Sequence, residues 1–128
     1  MKEQRSYNVG VYCRLSKQDK QDGNKRREES VSIQTQREML GKYVEARKDK
    51  GWRVYDFYID EDFSGTNFKR PGFERMIEDI ENGAVNLVVV KELSRLGRSH
   101  IETDTYMEIY FPERNVRVIA VDENIDSL

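Results

Sequence analysis

A run of four apolar residues, Leu87 to Val90, most constrains the fold of this chain. Its letters, LVVV, lack the alternation of apolar and polar residues that is typical of a strand with one face in water. Such a short, β-branched run favours a strand covered on both faces, as in a parallel sheet between two layers of helices. The remaining residues must then supply helices for both faces and further strands beside this one.

Segments with strand patterns and segments with helix patterns alternate along the chain. Three further strands are predicted from aromatic and β-branched residues, at Tyr7–Cys13, Arg53–Ile59 and Val116–Val121. The almost wholly polar stretch 17–29 predicts a mobile loop after the first strand. Four strands joined by three helical segments predict an α/β domain with a mainly parallel sheet.

The first two helices are predicted from capping residues and helical spacing of apolar residues. One runs from a cap at Ser30 or Ser32 to about Lys50, just before a glycine. The other begins at Pro71, because proline is favoured in a first helical turn, and closes at Asn82–Gly83.

The third helix follows the polar segment after the central strand. Its pattern predicts that Ile101 and Ile109 face the core. Pro112 is predicted to end it, because proline lacks the N–H group that continues a helix.

Composition restricts the class of protein. The 128 residues suit one domain, and the formal net charge of −2 is unusual for a domain that holds DNA by itself. Cys13 is the single cysteine, so an internal disulfide is excluded and a reducing cytoplasm is expected. The sequence has neither an apolar run long enough to span a membrane nor a signal-peptide pattern, and we predict no membrane partner.

The loops that follow parallel strands meet at one edge of the sheet, which is where binding sites form. Three such loops begin at Arg14, Asp60 and Lys91. They carry cationic and hydroxyl side chains: Arg14, Ser16, Ser64, Arg70, Lys91, Ser94, Arg95 and Arg98. Guanidinium groups in one crevice favour phosphate, and a serine there can act as nucleophile once its proton is removed. Spacing alone leaves an anion site and a solvated surface equally open.

Other chemistries lack their signatures. A serine hydrolase needs a histidine base, but His100 is the single histidine and no G-x-S-x-G elbow is present. Cys13 lacks the glycine-rich cradle of a cysteine phosphatase, and nucleotide-binding loops are absent. The acids Asp60 to Asp62 are adjacent, so they point in different directions, and we predict neither metal nor cofactor.

Four segments, in order, resemble the motifs of the serine recombinases, the family of resolvases, invertases and their large relatives. They are Tyr12–Ser16 (Y-x-R-x-S), Ser32–Gln36 (S-I-x-x-Q), Ser64–Phe73 (S-G with a following arginine) and Leu93–Arg98 (with R-L-G-R). The resemblance runs from about Asn8 to Asp126. The segment SGTNFKRPGF and the polar insertion after Ser16 are most similar to those of the large transposase and integrase branch of the family.

The resemblance implies a three-layer, resolvase-like α/β domain with a mainly parallel sheet of four to five strands flanked by helices. It also implies a site-specific DNA recombinase, in which Ser16 attacks a DNA phosphodiester to form a 5′-phosphoserine intermediate. Strand exchange and rejoining would then need no ATP, because the intermediate conserves the energy of the phosphodiester bond. The alternative is a non-catalytic phosphoanion-binding or regulatory α/β domain.

The family's functional residues correspond to positions of this chain. Arg14, Arg95 and Arg98 would bind the scissile phosphate. The resemblance also implies Arg70 and Ser64 beside the phosphate, Gln36 ordering the site and Tyr12 near the nucleophile. The family carries an acid in the second loop, which an ungapped count places at Glu61, although Asp60 or Asp62 could be that acid instead. Ser94 stands where some relatives carry aspartate, so no role for an acid carries over there.

The partners implied by the resemblance are double-stranded DNA recombination sites. The full-length protein is expected to be a dimer on DNA and a tetramer in synapsis. Because the chain stops at Leu128, close after the last strand, we expect residues 1–128 to be an N-terminal catalytic domain without the dimerisation helix and DNA-binding domains. By itself it should be a monomer or weak dimer that binds DNA weakly.

Overall fold

Five strands form a single sheet in a computed structural model that describes residues 6–14, 25–61, 70–97 and 99–128, with residues 25–32 described by their backbone alone. The strands are β1 (Tyr7–Arg14), β2 (Trp52–Asp60), β3 (Leu87–Val90), β4 (Arg117–Ala120) and β5 (Ile125–Asp126). Their order across the sheet is β2-β1-β3-β4-β5. The first four are parallel, and β5 runs antiparallel to β4. The predicted mainly parallel sheet is confirmed.

Helical segments connect the parallel strands. They are α1 (Lys25–Glu45), a 3-10 turn (Lys48–Lys50), α2 (Pro71–Glu81), a second 3-10 turn (Leu93–Arg95), α3 (His100–Thr105), a π-helical segment (Tyr106–Tyr110) and α4 (Phe111–Glu113). Among the described residues, no helix is both long and apolar enough to cross a bilayer.

The helices cover both faces of the sheet, which gives three layers. On one face, Ile33, Leu40 and Val44 of α1 pack against Leu87 and Val89. On the other, a second core cluster includes Val88 and Val90 of β3 together with residues of α2 and α4: Phe73, Met76, Ile80 and Phe111. All four residues of β3 are buried. The double coverage inferred from the LVVV run is therefore confirmed.

The first helix begins earlier than predicted. It starts at Lys25, so Ser30 and Ser32 lie inside it rather than at its cap, and residues 25–29 of the predicted loop are helical. The physical reason is that lysine, arginine and glutamate are good helix formers, so a polar stretch extends the helix. Residues 17–24 of that loop lie outside the described part of the chain. Gly51 closes the following 3-10 turn with a φ of 87°, a conformation that favours glycine.

The third helical region differs most from the prediction. Ile101 and Ile109 are exposed by 80% and 52%, so their predicted inward orientation is wrong. The inward face is instead formed by Thr103, Tyr106, Met107, Tyr110 and Phe111, which recur at helical spacing and are buried or packed against the core. Pro112 does not end the helix but lies in the first turn of α4, where a missing N–H breaks no helical bond.

Candidate active site

The carboxyl ends of β1, β2 and β3 lie at one edge of the sheet, with β1 in the middle. Arg14, the last residue of β1, is in register with Asp60, the last residue of β2. The predicted site residues Ser16, Ser64 and Arg98 lie outside the described residues, as does Asp62. The described part of the site comprises Tyr12, Arg14, Gln36, Asp60, Glu61, Arg70, Lys91, Ser94 and Arg95.

The guanidinium group of Arg14 reaches from the end of β1 to the loop after β3. Its Nε donates to the carbonyl of Arg95 at 3.0 Å. Its Nη2 donates to the carbonyls of Ser94 at 2.6 Å and Gly97 at 3.2 Å. One side chain thus binds three of the four carbonyls from residue 94 to residue 97, and it fixes the backbone that carries Arg95.

Arg95 returns the contact. Its side chain is 2% exposed, and its Nη1 donates to the carbonyl of Arg14 at 2.6 Å. Its Nη2 lies 3.1 Å from Oε1 of Glu92, three residues earlier. Buried charge is costly unless it is paired, and this carboxylate offsets that cost. Each of the two arginines therefore holds the backbone of the other.

Gln36 of α1 completes the end of β1. Its Oε1 accepts from the Arg14 N–H at 3.3 Å, and its Nε2 donates to the Arg14 carbonyl at 3.2 Å. The side chain is buried and satisfies both backbone groups of the residue where β1 stops. The contact fixes the end of β1, and the role of Gln36 in ordering a catalytic site stays a prediction.

Arg70 joins the same loop from a third segment. It is buried at the N-terminus of α2, and its Nη1 donates to the carbonyl of Leu96 at 2.8 Å. Its Nη2 lies 3.6 Å from a carboxylate oxygen of Glu102, and its guanidinium stacks 4.0 Å from the centroid of the Phe73 ring. Arg14, Arg70 and Arg95 are therefore brought together by the backbone of residues 94–97.

An acid lies behind the cluster, and it is Asp60 rather than Glu61. Asp60 is buried, and its Oδ2 accepts from the Tyr12 hydroxyl at 2.8 Å. The same carboxylate accepts from the N–H groups of Gly72 at 2.7 Å and Phe73 at 2.9 Å, which are orphan donors at the start of α2. Glu61 is exposed. Strand alternation explains the choice, because Tyr58 and Asp60 point to the same buried face of β2.

Burial changes the acidity of several groups at this edge. It raises the pKa of the Tyr12 hydroxyl, and the nearby Asp60 charge raises it further. Burial also raises the pKa of the Cys13 thiol to about 12. It lowers the pKa of Arg14, and the neighbouring charges of Arg70 and Arg95 act in the same direction. The cluster therefore concentrates positive charge that an anion would stabilise.

The other residues singled out by sequence have peripheral positions. Lys91 is partly exposed and lies 3.6 Å from a carboxylate oxygen of Asp122. Ser94 is exposed, and it contacts Arg14 through its backbone carbonyl. His100 is exposed at the start of α3. Within the described ranges, no three side chains of the types His, Cys, Asp and Glu are grouped so that they could hold a metal ion.

Two acids near the arginines were not identified from sequence. Glu92 pairs with Arg95, and its spacing of three residues in the sequence was an available signal for a pair within one turn. Glu123 contacts the backbone N–H of Leu93 across 30 residues of sequence. No local pattern indicates a contact of that kind.

Comparisons with known proteins point to one family. The family model "Resolvase, N terminal domain" matches residues 9–128. Among curated proteins, the "uncharacterized immunity region protein 3" of Bacillus phage phi105 is 37% identical over 83 residues, which cover 65% of this chain and 90% of that protein.

Solved structures agree with that match. The N-terminal catalytic domain of TP901-1 integrase is 36% identical, with a TM-score of 0.73, over 94% of this chain and 81% of that one. A resolvase family site-specific recombinase from Streptococcus pneumoniae is 26% identical, with a TM-score of 0.74, over 95% of this chain and 76% of that one. Fold and sequence therefore agree over nearly the whole chain.

Proposed function

This chain belongs to the resolvase family of serine recombinases, and from that premise we propose that it breaks and rejoins DNA through Ser16. Its partners are double-stranded DNA recombination sites. The phage relative and the integrase-like neighbour are in keeping with a recombinase of a mobile element. On DNA the protein acts as a dimer, and in synapsis as a tetramer.

One observation supports the proposal above the others. The guanidinium groups of Arg14 and Arg70 bind backbone carbonyls of residues 94–97, and Arg95, which lies within that stretch, donates to the carbonyl of Arg14. Ser16 follows Arg14 by two residues, and Arg98 follows Gly97 directly. These positions in the sequence, next to described members of the cluster, are the reason that we assign Ser16 and Arg98 to the same site.

The proposed reaction is a transesterification at phosphorus. The Ser16 hydroxyl loses its proton as its oxygen forms a bond to the phosphorus, and the bond from phosphorus to the 3′ oxygen breaks. That oxygen gains a proton and leaves as a 3′-hydroxyl, so no net proton is consumed. Negative charge grows on the phosphoryl oxygens, and we assign its stabilisation to Arg14, Arg95 and Arg98. Rejoining is the reverse step with a new 3′-hydroxyl, so it needs no external energy source.

The remaining predicted residues have supporting roles in this proposal. Arg70 adds positive charge beside the phosphate and braces the loop through Leu96. Gln36 holds the end of β1, and Asp60, not Glu61, supports Tyr12 and the start of α2. Ser64 remains assigned beside the phosphate by resemblance. A non-catalytic phosphoanion-binding domain is the less favoured alternative, since the chain resembles a catalytic domain over most of its length.

Replacement of Ser16 by alanine in the full-length protein tests the mechanism. We expect Ser16→Ala to abolish the covalent protein–DNA complex on DNA that carries the recombination site, because the nucleophile is gone. The covalent complex is measured by denaturing electrophoresis, and the modified residue by mass spectrometry after digestion. Ser6→Ala is the matched control, because Ser6 precedes the opposite end of β1 and is exposed. Cleavage that persists in Ser16→Ala contradicts the proposal.

A further inference from the structure

The turn between β4 and β5 lies against the loop that carries Arg95. The Val121 N–H donates to the carbonyl of Val90 at 3.0 Å, and the Asp122 N–H donates to that of Lys91 at 2.9 Å. These bonds continue the pairing of β3 with β4 past the ends of both strands. The start of the loop is therefore paired along one side by backbone from a distant part of the sequence.

Glu123 of this turn supplies a cap that the loop lacks locally. Residues Leu93–Arg95 form a 3-10 turn whose own N-cap residue, Glu92, makes no side-chain capping bond. The first N–H groups of any helical turn have no partner within the turn. Oε1 of Glu123 accepts from the Leu93 N–H at 2.9 Å, so the cap comes from another element. Asp122 adds an ion pair with Lys91 at 3.6 Å.

The capped turn determines where the arginines lie. It carries Arg95 itself, and it leads into the carbonyls that bind Arg14 and Arg70. A shift at Leu93 would move this backbone and the two guanidinium groups attached to it. Because a displacement of about 1 Å in a catalytic group can cost about 100-fold in rate, even a small shift matters.

We propose that Glu123 is a positioning residue for DNA cleavage, and this inference rests on the function proposed above. It acts through the hydrogen bond from Leu93, not by contact with DNA. A negative charge at this edge repels phosphate, so the charge itself gives no advantage in binding DNA. What the side chain contributes is an acceptor oxygen at a fixed place.

Variants of Glu123 separate the acceptor from the charge. Glu123→Gln retains a carbonyl oxygen and loses the charge, whereas Glu123→Ala loses both. In single-turnover assays of the full-length protein, we expect Glu123→Ala to lower the rate of DNA cleavage about 10- to 100-fold. Glu123→Gln should stay within about threefold of the parent. DNA affinity, measured by fluorescence anisotropy, should change by less than about twofold in either variant, because neither removes a phosphate contact.

Asp126→Asn is the matched control, because it alters the same hairpin without touching the loop. Asp126 pairs with Arg117 at 2.7 Å on the β4–β5 side. We expect its cleavage rate to stay within about threefold of the parent. Equal losses in Asp126→Asn and Glu123→Ala would overturn the proposal, because hairpin stability alone would then explain both. A rate in Glu123→Ala equal to the parent, or one in Glu123→Gln as low as in Glu123→Ala, would also overturn it.

Amide hydrogen exchange at Leu93 tests the contact without any catalysis. Exchange should be faster in Glu123→Ala than in the parent and unchanged in Glu123→Gln and Asp126→Asn. If exchange follows this pattern while Ser16→Ala still cleaves DNA, the proposed function fails and the contact stands. If Ser16→Ala is inactive and the Leu93 exchange rate is the same in Glu123→Ala and the parent, the positioning role fails by itself.

Discussion

At the scale of single residues, Asp60 shows how position in a strand decides which of several similar side chains has a role. It accepts hydrogen bonds from the Tyr12 hydroxyl and from two N–H groups at the start of α2. Its neighbour Glu61 has the same charge but is exposed. Composition does not distinguish adjacent acids, whereas the alternation of a strand sends them to different faces. The assignment of the family's acid to Glu61 by ungapped counting stays a prediction, whereas the acid that contacts Tyr12 is Asp60, which the sequence also left open.

Gly72 is expected to be intolerant of a side chain. A Cβ at this position would lie 2.9 Å from the carbonyl oxygen of Ile59 and 3.0 Å from Oδ1 of Asp60. Gly72→Ala would therefore push α2 away from the end of β2. We expect it to lower the free energy of unfolding by about 1–3 kcal/mol, as overpacking does, measured by urea denaturation.

Gly41 provides the matched control within a helix. A Cβ there would lie 3.5 Å from the Phe57 ring, an ordinary contact. Gly41→Ala should raise the free energy of unfolding by about 0.5–1 kcal/mol, because glycine is a poor helix former. A Gly72→Ala variant as stable as the parent would show that α2 can move away from β2 at little cost.

At the scale of elements, the region from α3 to α4 shows a limit of helical periodicity. Two sets of residues have helical spacing here, one containing Ile101 and Ile109 and the other containing Thr103, Tyr106 and Phe111. Periodicity alone does not say which of two such faces packs against the sheet, and the exposed one is that of Ile101 and Ile109. The aromatic residues Tyr106, Tyr110 and Phe111, which contact one another, take the inward face instead.

Two substitutions in this element distinguish the observed inward face from the predicted one. Ile101→Gln should change the free energy of unfolding by no more than about 0.5 kcal/mol, because the side chain is 80% exposed. Phe111→Ala should cost about 3–5 kcal/mol, because Phe111 is buried in the core. Urea denaturation of both variants measures these changes in the free energy of unfolding. A larger loss in Ile101→Gln than in Phe111→Ala would favour the inward face predicted from the sequence.

At the scale of the whole molecule, the central position of β1 brings distant residues together. β1 lies between β2 and β3, so the loops that follow all three strands share an edge. This placement lets Arg14 and Arg70 bind the backbone of residues 94–97, which includes Arg95, although the three arginines are far apart in sequence. The same central strand places Cys13 at 0% exposure beneath α1.

The single thiol should report on the opening of the whole sheet. Burial raises the pKa of Cys13 to about 12, so the native thiol stays protonated at pH 8, and its reaction with a disulfide reagent should require unfolding. Ionisation favours the unfolded chain, whose thiol has a pKa of about 8.5, so this contribution to stability falls as the pH rises from about 8.5 toward 12. The rate of thiol labelling, measured with and without urea, shows whether the reaction requires unfolding. Native labelling as fast as labelling in urea would contradict it.

The sequence alone determined the α/β class, the bounds of β3 and the family to which the chain belongs. These follow from local properties: a continuous apolar run, strand and helix spacing, and motif residues close together in the chain. The tertiary structure decided which acid turns inward, how the third helical region packs, and that Glu123 holds the arginine-bearing loop. Those outcomes depend on strand register and on contacts between residues far apart in sequence, and such contacts leave no local pattern in the amino-acid sequence.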